Sequence, residues 1–197
     1  MTAPEYNAAI DRIIKNSLAA PGALVPCCRK GCSHCCSEPA YTDRRVIDHI
    51  ISGLTPEQIE EVKAKLPAWL EKTAEARKLY KPKAHDYREL NAPCPLLKDG
   101  LCSAYDRRPL DCRIWFAIGN PDDCAMPARK HQKFAEYTDE ALQMLCSPWI
   151  KSTMDEEGEV VMDHIGVLLA ERLLGMDIPS AARRHLKYEE TRVQHES

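Results

Sequence analysis

The stretch "CCRKGCSHCC" at residues 27–36 puts five cysteines into ten residues, and five more follow singly at 94, 102, 112, 124 and 146. Within it Cys28, Cys32, Cys35 and Cys36 form C-x3-C-x2-C-C. Gaps this short let several thiolates converge on one centre without a long ordered loop, as both tetrahedral zinc and iron–sulfur clusters require. The adjacent pair Cys35–Cys36 says more. Neighbouring side chains diverge in a strand, and they diverge in a turn as well. One of the two is therefore expected to face a second metal or another corner of a polynuclear centre, and the first loop is not the whole site.

The downstream thiols supply the rest. Cys94, Cys102, Cys112 and Cys124 sit among turn residues and raise the expected ligand set to eight. Eight sulfurs suit two four-sulfur sites, one cluster beside a mononuclear metal, or a single thiolate-bridged centre. A zinc ion with four thiolates carries a net charge of about −2, so cations are needed nearby. Arg29 and Lys30 lie inside the first loop, and Arg107, Arg108, Arg113 and Arg129 flank the second set. Such groups donate hydrogen bonds to sulfur and tune a centre. Arg113, directly after Cys112, is read as a residue supporting the ligands, and Tyr105 as a donor to a thiolate or a packing residue. His34 is an extra residue of the loop, since the cysteines suffice. Cys27 and Cys146 fall outside the eight-cysteine pattern, and both are expected to be dispensable for metal content.

The chain has 197 residues, a net charge of −3 and only two Phe, so Leu, Ile, Val, Ala and Trp must carry the packing. That length suits one domain over 1–180, with a cysteine core at 27–130 and a helical part at 131–180, followed by a charged tail at 181–197. The mild charge argues against a nucleic-acid partner. No apolar run is long enough for a bilayer, and the opening "MTAPEYNAAIDRIIKN" lacks the charge pattern of a signal peptide. A cytoplasmic location is expected, where clustered thiols bind metal rather than pair as disulfides. The expected partners are metal ions and a protein.

Apolar spacing predicts a helix over 4–19 with Tyr6, Ile10, Ile13 and Ile14 on one face. A second helix is expected in "YTDRRVIDHIISGL", capped by Thr42. "TPEQ" at 55–58 carries a capping box, with Pro56 at the first helical position and Gln58 closing back. The helix it opens, over 55–80, should kink or split at Pro67. Residues 91–128 show no sustained period and read as loops. Helical character returns at 130–145 and again at 159–174, ended by Gly175. The fold class is mainly α: a small helical scaffold around two cysteine-rich, metal-organised loops.

The sequence resembles the YkgJ-type cysteine-cluster family, the zinc- or iron-chelating CxxCxxCC domains. The resemblance rests on C-x3-C-x2-C-C at 28–36, "CPLL…GLC" at 94–102, "YDRRPLDCR" at 105–113 and "CAMPAR" at 124–129, and it spans about 27–130. It implies metal binding by those cysteines and no common reaction. The motif is also similar to the cysteine region of flagellin lysine methylases, which implies an iron–sulfur centre. It shares its opening with the cluster loop of radical S-adenosylmethionine enzymes, but the repeated strands and helices of their barrel are missing.

No glycine pair has the G-x-G spacing of a dinucleotide or kinase loop, and neither G-x-S-x-G nor H-E-x-x-H occurs. Spacing alone leaves zinc and iron–sulfur both open, with more than one metal per chain expected and iron–sulfur favoured. The functional reading is a redox, sensory or partner-acting metal module. A group-transfer or redox enzyme using the cluster, or a metal carrier, is the alternative.

Overall fold

A computed structural model describes residues 1–19, 21, 23, 26, 28, 31–79, 90–118, 124, 133–136, 145–146, 148–152, 154, 159–180 and 183–187. Among them the architecture is mainly helical, with three small antiparallel sheets. Helix α1 spans Ala3–Leu18 and opens with a capping box between Thr2 and Glu5. Helix α2 (Arg44–Ile51) is capped by Asp43, whose Oδ1 accepts the Val46 N–H at 3.1 Å. The cap falls one residue past Thr42 because Tyr41–Asp43 is drawn out as strand β1. Helix α3 (Pro56–Lys72) has the expected capping box at Thr55 and Gln58. It runs through Pro67 without a break, because Leu66, Trp69 and Leu70 on either side of the proline are all buried in the core. It stops at Thr73, and a short 3-10 turn at Ala76–Lys78 follows.

The expected helix over 159–174 divides in two. Glu159–His164 forms strand β6, and only Ile165–Leu174 is helical; it is named α5 here, α4 being the short helix Asp111–Ile114. A short apolar run does not distinguish strand from buried helix by period. Here neighbours decide: β6 pairs with β1 on one side, through Thr42 and Asp163, and with β7 (Arg184–Lys187) on the other. Part of the charged tail is thus an edge strand. Within the expected helix over 130–145, residues Lys133–Glu136 form strand β5, which pairs with β4 (Trp115–Ile118).

Helix α5 lies at the centre. Val167, Leu168, Leu169 and Ala170 are all fully buried, so the first half of the helix is enclosed on every side rather than on one stripe. It packs on α2 and α3, and a Cβ at Gly166 would come within 2.8 Å of the Trp69 ring, so only glycine permits the observed α3–α5 approach. Trp149 docks the helical residues 148–152 onto this core. Its ring stacks on Tyr6 at 4.6 Å, Arg45 covers it at 4.3 Å, and its Nε1–H donates to Asp43 at 3.0 Å. Buried Asp163 gathers the segment after α5, accepting hydrogen bonds from Ser180 Oγ at 2.9 Å and Arg183 Nε at 3.0 Å.

Candidate metal centre

Each cysteine of the first loop is placed by a local turn. Gly31 adopts φ +92°, a left-handed conformation open to glycine, and turns the chain between Cys28 and Cys32. His34–Ser37 is a 3-10 turn, in which the Cys36 N–H donates to Ser33 O at 3.0 Å and the Glu38 N–H to Cys35 O at 3.0 Å. At three residues per turn, adjacent side chains stand about 120° apart.

The second loop is a hairpin followed by a helical turn. Strands β2 (Leu97–Lys98) and β3 (Leu101–Cys102) are joined by Asp99 and Gly100, both with positive φ, which is the two-residue turn favoured by an Asp-Gly dipeptide. This "DG" signal is in the sequence, but the reading of 91–128 as loops passed over it. The hairpin puts Cys102 opposite Leu97, one turn from Cys94, whose carbonyl accepts the Leu97 N–H at 2.9 Å. Helix α4 carries Cys112. It is tied to β1 because Asp111 Oδ2 accepts the Tyr41 N–H at 2.8 Å.

The two loops meet directly. The Cys94 N–H donates to the Cys36 carbonyl at 2.7 Å, and Gly31 and Ser33 sit against Leu101 and Gly100 of the hairpin turn. Between them lies a cavity of about 70 Å³ lined by Cys32, Cys35, Cys36, Cys94, Cys102 and Cys112. Its other walls are Ala40, Leu96, Ala104, Pro109 and Ile165, with Glu38, Tyr105 and Arg108. One water needs about 10–15 Å³ by the same measure, so several atoms fit.

Burial and crowding govern these thiols. Burial pushes Cys94 up to about 12 and Cys112 well above the ordinary thiol range. Cys102 is also raised by burial, against the pull of Arg108. Cys36 is raised first by its hydrogen bond with Cys35, then by burial and by the neighbouring cysteines. Burial and mutual repulsion thus disfavour the thiolate forms of Cys36, Cys94, Cys102 and Cys112, and a soft metal that replaces the protons would remove that repulsion. The donor set thus suits zinc or iron. Among the described residues no three His, Cys, Asp or Glu side chains already stand at ion-binding spacing.

Of the other residues singled out from sequence, most lie elsewhere. Cys28 is exposed and its Sγ accepts the Ala117 N–H of β4 at 3.3 Å, while Cys124 is buried; neither lines the cavity. His34 is exposed and off the cavity wall. Tyr105 is on the wall beneath Arg108. Arg113 is buried and spends its guanidinium on Arg108 O at 2.7 Å, Asp106 O at 2.8 Å and the Asp11 carboxylate. Cys146 is apart from the centre, 3.3 Å from the Tyr6 hydroxyl. Cys27, Arg29, Lys30 and Arg129 lie outside the described residues.

Among known families, the one named CxxCxxCC and described as "Putative zinc- or iron-chelating domain" matches residues 27–139. That segment contains both loops and the whole cavity-lining cysteine set. The first gap has three residues here, against two in the family's name, and the left-handed Gly31 lies in that gap. No curated protein and no solved structure matches the chain significantly. With more than half of its length matched, and with its thiols gathered at one cavity, the chain belongs to the CxxCxxCC family of zinc- or iron-chelating domains.

Proposed function

We propose that the protein is a metal–thiolate module in which Cys32, Cys35, Cys36, Cys94, Cys102 and Cys112 hold a polynuclear centre, and that this centre serves a redox or sensory role exerted on a protein partner. One observation supports the reading above all: six thiols from both loops line one cavity. Tetrahedral zinc is satisfied by four. Six thiols on one cavity suit bridging sulfurs or a cluster with further thiolates beside it, and among these an iron–sulfur cluster adds electron transfer to the structural role. Cys28 and Cys124 stay in the proposed set of eight through the sequence pattern alone.

A second reading has its own support. The cavity is walled on one side by Ala40, Leu96, Ala104, Pro109 and Ile165, not by sulfur. A metal with a coordination position facing that wall would be accessible to a small substrate, as catalytic centres require and saturated structural ones do not.

Anaerobic purification with iron, zinc and acid-labile sulfide analysis, together with absorption spectroscopy, tests both readings. The cluster reading expects more than one iron per chain, with matching sulfide and visible absorption. Zinc without sulfide would replace it with a thiolate-bridged zinc site. A protein that holds no metal after anaerobic reconstitution would defeat the proposal. Spectral perturbation by a small exogenous ligand such as cyanide would favour the enzyme reading.

A further inference from the structure

Among the described residues three arginines surround the second loop, and the structure gives them different work. Arg107 Nη1 donates to the His49 carbonyl at 3.0 Å and to Ser52 Oγ at 3.1 Å, and the side chain lies across Gly53. Arg113 is consumed by two backbone carbonyls and Asp11. Both brace the backbone, and neither lines the thiol cavity.

Arg108 does line it. Its guanidinium lies 3.8 Å over the Tyr105 ring, and its Nε–H donates to the Tyr105 carbonyl at 2.9 Å. Among the described residues its two Nη groups make no hydrogen bond and no carboxylate pairs with it. Lys65, on α3, reaches the hairpin as well. Its ammonium is tied to the Leu97 carbonyl at 2.8 Å and is not on the cavity wall. The one carboxylate on that wall is Glu38. A centre of several thiolates is anionic, whereas a guanidinium keeps its charge at any working pH and is weakly hydrated.

We infer that Arg108, braced on Tyr105, offsets charge on the metal–thiolate centre and donates N–H···S hydrogen bonds to it, the role that sequence position alone suggests for Arg113. This rests on the metal–thiolate reading above. Arg108 is a positioning and tuning residue, and Tyr105 acts through it. A hydrogen bond to a coordinated thiolate stabilises the sulfur lone pair and so raises the energy of sulfur-to-metal charge transfer. Losing it lowers both the transition energy and the metal affinity, the latter by about 10–100-fold for residues of this kind.

The test titrates Co2+ alone into the reduced, metal-free full-length protein under anaerobic conditions. Sulfur-to-cobalt absorption is followed, affinities are set by chelator competition, and circular dichroism checks the fold. Arg108→Gln should weaken Co2+ binding at least tenfold and move the charge-transfer band to lower energy with helix content unchanged. Arg108→Lys, which keeps the charge but loses the fork over Tyr105, should recover most of the affinity and less of the band position. Lys63→Gln, which removes a half-exposed charge paired with Glu60 on α3, should do neither. If Arg108→Gln matched the wild type in affinity and band position, the inference would fall and the metal reading would stand. Equal losses in Arg108→Gln and Arg108→Lys, with helix content falling in both, would assign Arg108 to folding and overturn the tuning role. A wild-type protein with no charge-transfer band would overturn the inference, and the iron, zinc and sulfide analysis above would decide the metal reading separately.

Discussion

Cys36 and Cys146 are both half-buried thiols, yet their surroundings predict opposite consequences of replacing them. Cys36 faces the cavity, hydrogen-bonded to Cys35 and close to Cys94 and Cys112. Cys146 contacts Tyr6, whose hydroxyl is pushed well above its ordinary range by burial and then by that thiol. Cys36→Ser and Cys112→Ser are each expected to lower bound metal per chain, and Cys146→Ser and Cys27→Ser to leave it unchanged. Metal analysis of the four variants checks this, and equal losses from Cys146→Ser and Cys36→Ser would undo the assignment. A second residue sets a pH dependence. His164 lies against the Trp69 ring at 4.7 Å, and its Nδ1 accepts the Gly166 N–H at 3.0 Å. Burial first, and Arg77 second, hold its pKa down at about 3, so the ring is neutral in the folded protein. Unfolded histidine titrates near 6.5. Between those values the unfolded chain binds a proton that the folded chain does not, so stability declines as pH falls below about 6.5 and continues to decline towards 3. The expected loss between pH 7 and pH 5 is about 1–2 kcal/mol. Urea denaturation at both pH values, in wild type and His164→Gln, isolates this contribution; identical slopes in the two proteins would refute it.

At the scale of elements, two glycines carry the contacts that set the site. Gly166 allows α5 to touch the Trp69 ring on α3. Gly166→Ala forces an overpacked contact and should cost about 1–3 kcal/mol, which thermal melting would register as a drop of several degrees. An unchanged melting temperature would show that the helices part without cost. Gly100, at φ +75°, closes the hairpin that carries Cys102. Gly100→Val should weaken metal binding while leaving the helical circular dichroism intact, because the hairpin lies outside the helices; unaltered affinity would mean that the turn does not set the cysteine geometry. The start of α3 was legible because capping is local: Thr55, Pro56 and Gln58 state it within four residues. The strands were not. Val160 and Val161 suit either a buried helix or a strand, and only the pairing with β1 and β7 separates the two.

Across the whole molecule, the helices and the cysteine loops draw order from different sources. Helices α1, α3 and α5 bury Ile10, Leu66 and Leu168 in a common core, whereas 91–118 contributes mainly Ala92, Leu96, Ala104 and the wall of the thiol cavity. Metal removal by a strong chelator under reducing conditions should therefore raise amide exchange most at 31–37 and 91–114 and least in α5, since coordination there offsets the entropy of ordering the loops. Loops equally protected with and without metal would leave hydrophobic packing as their organiser. The sequence by itself determined that this is a metal-chelating chain with a mainly helical frame, because thiol spacing, capping boxes and apolar period act over ten residues or fewer. Only the tertiary structure decided that the Cys94 N–H donates to the Cys36 carbonyl, that six thiols share one cavity, and that Arg108 rather than Arg113 lies on its wall. Those relations depend on which segments fold onto one another across more than fifty residues of chain, and on which guanidinium the nearby carbonyls have already taken, neither of which local spacing encodes.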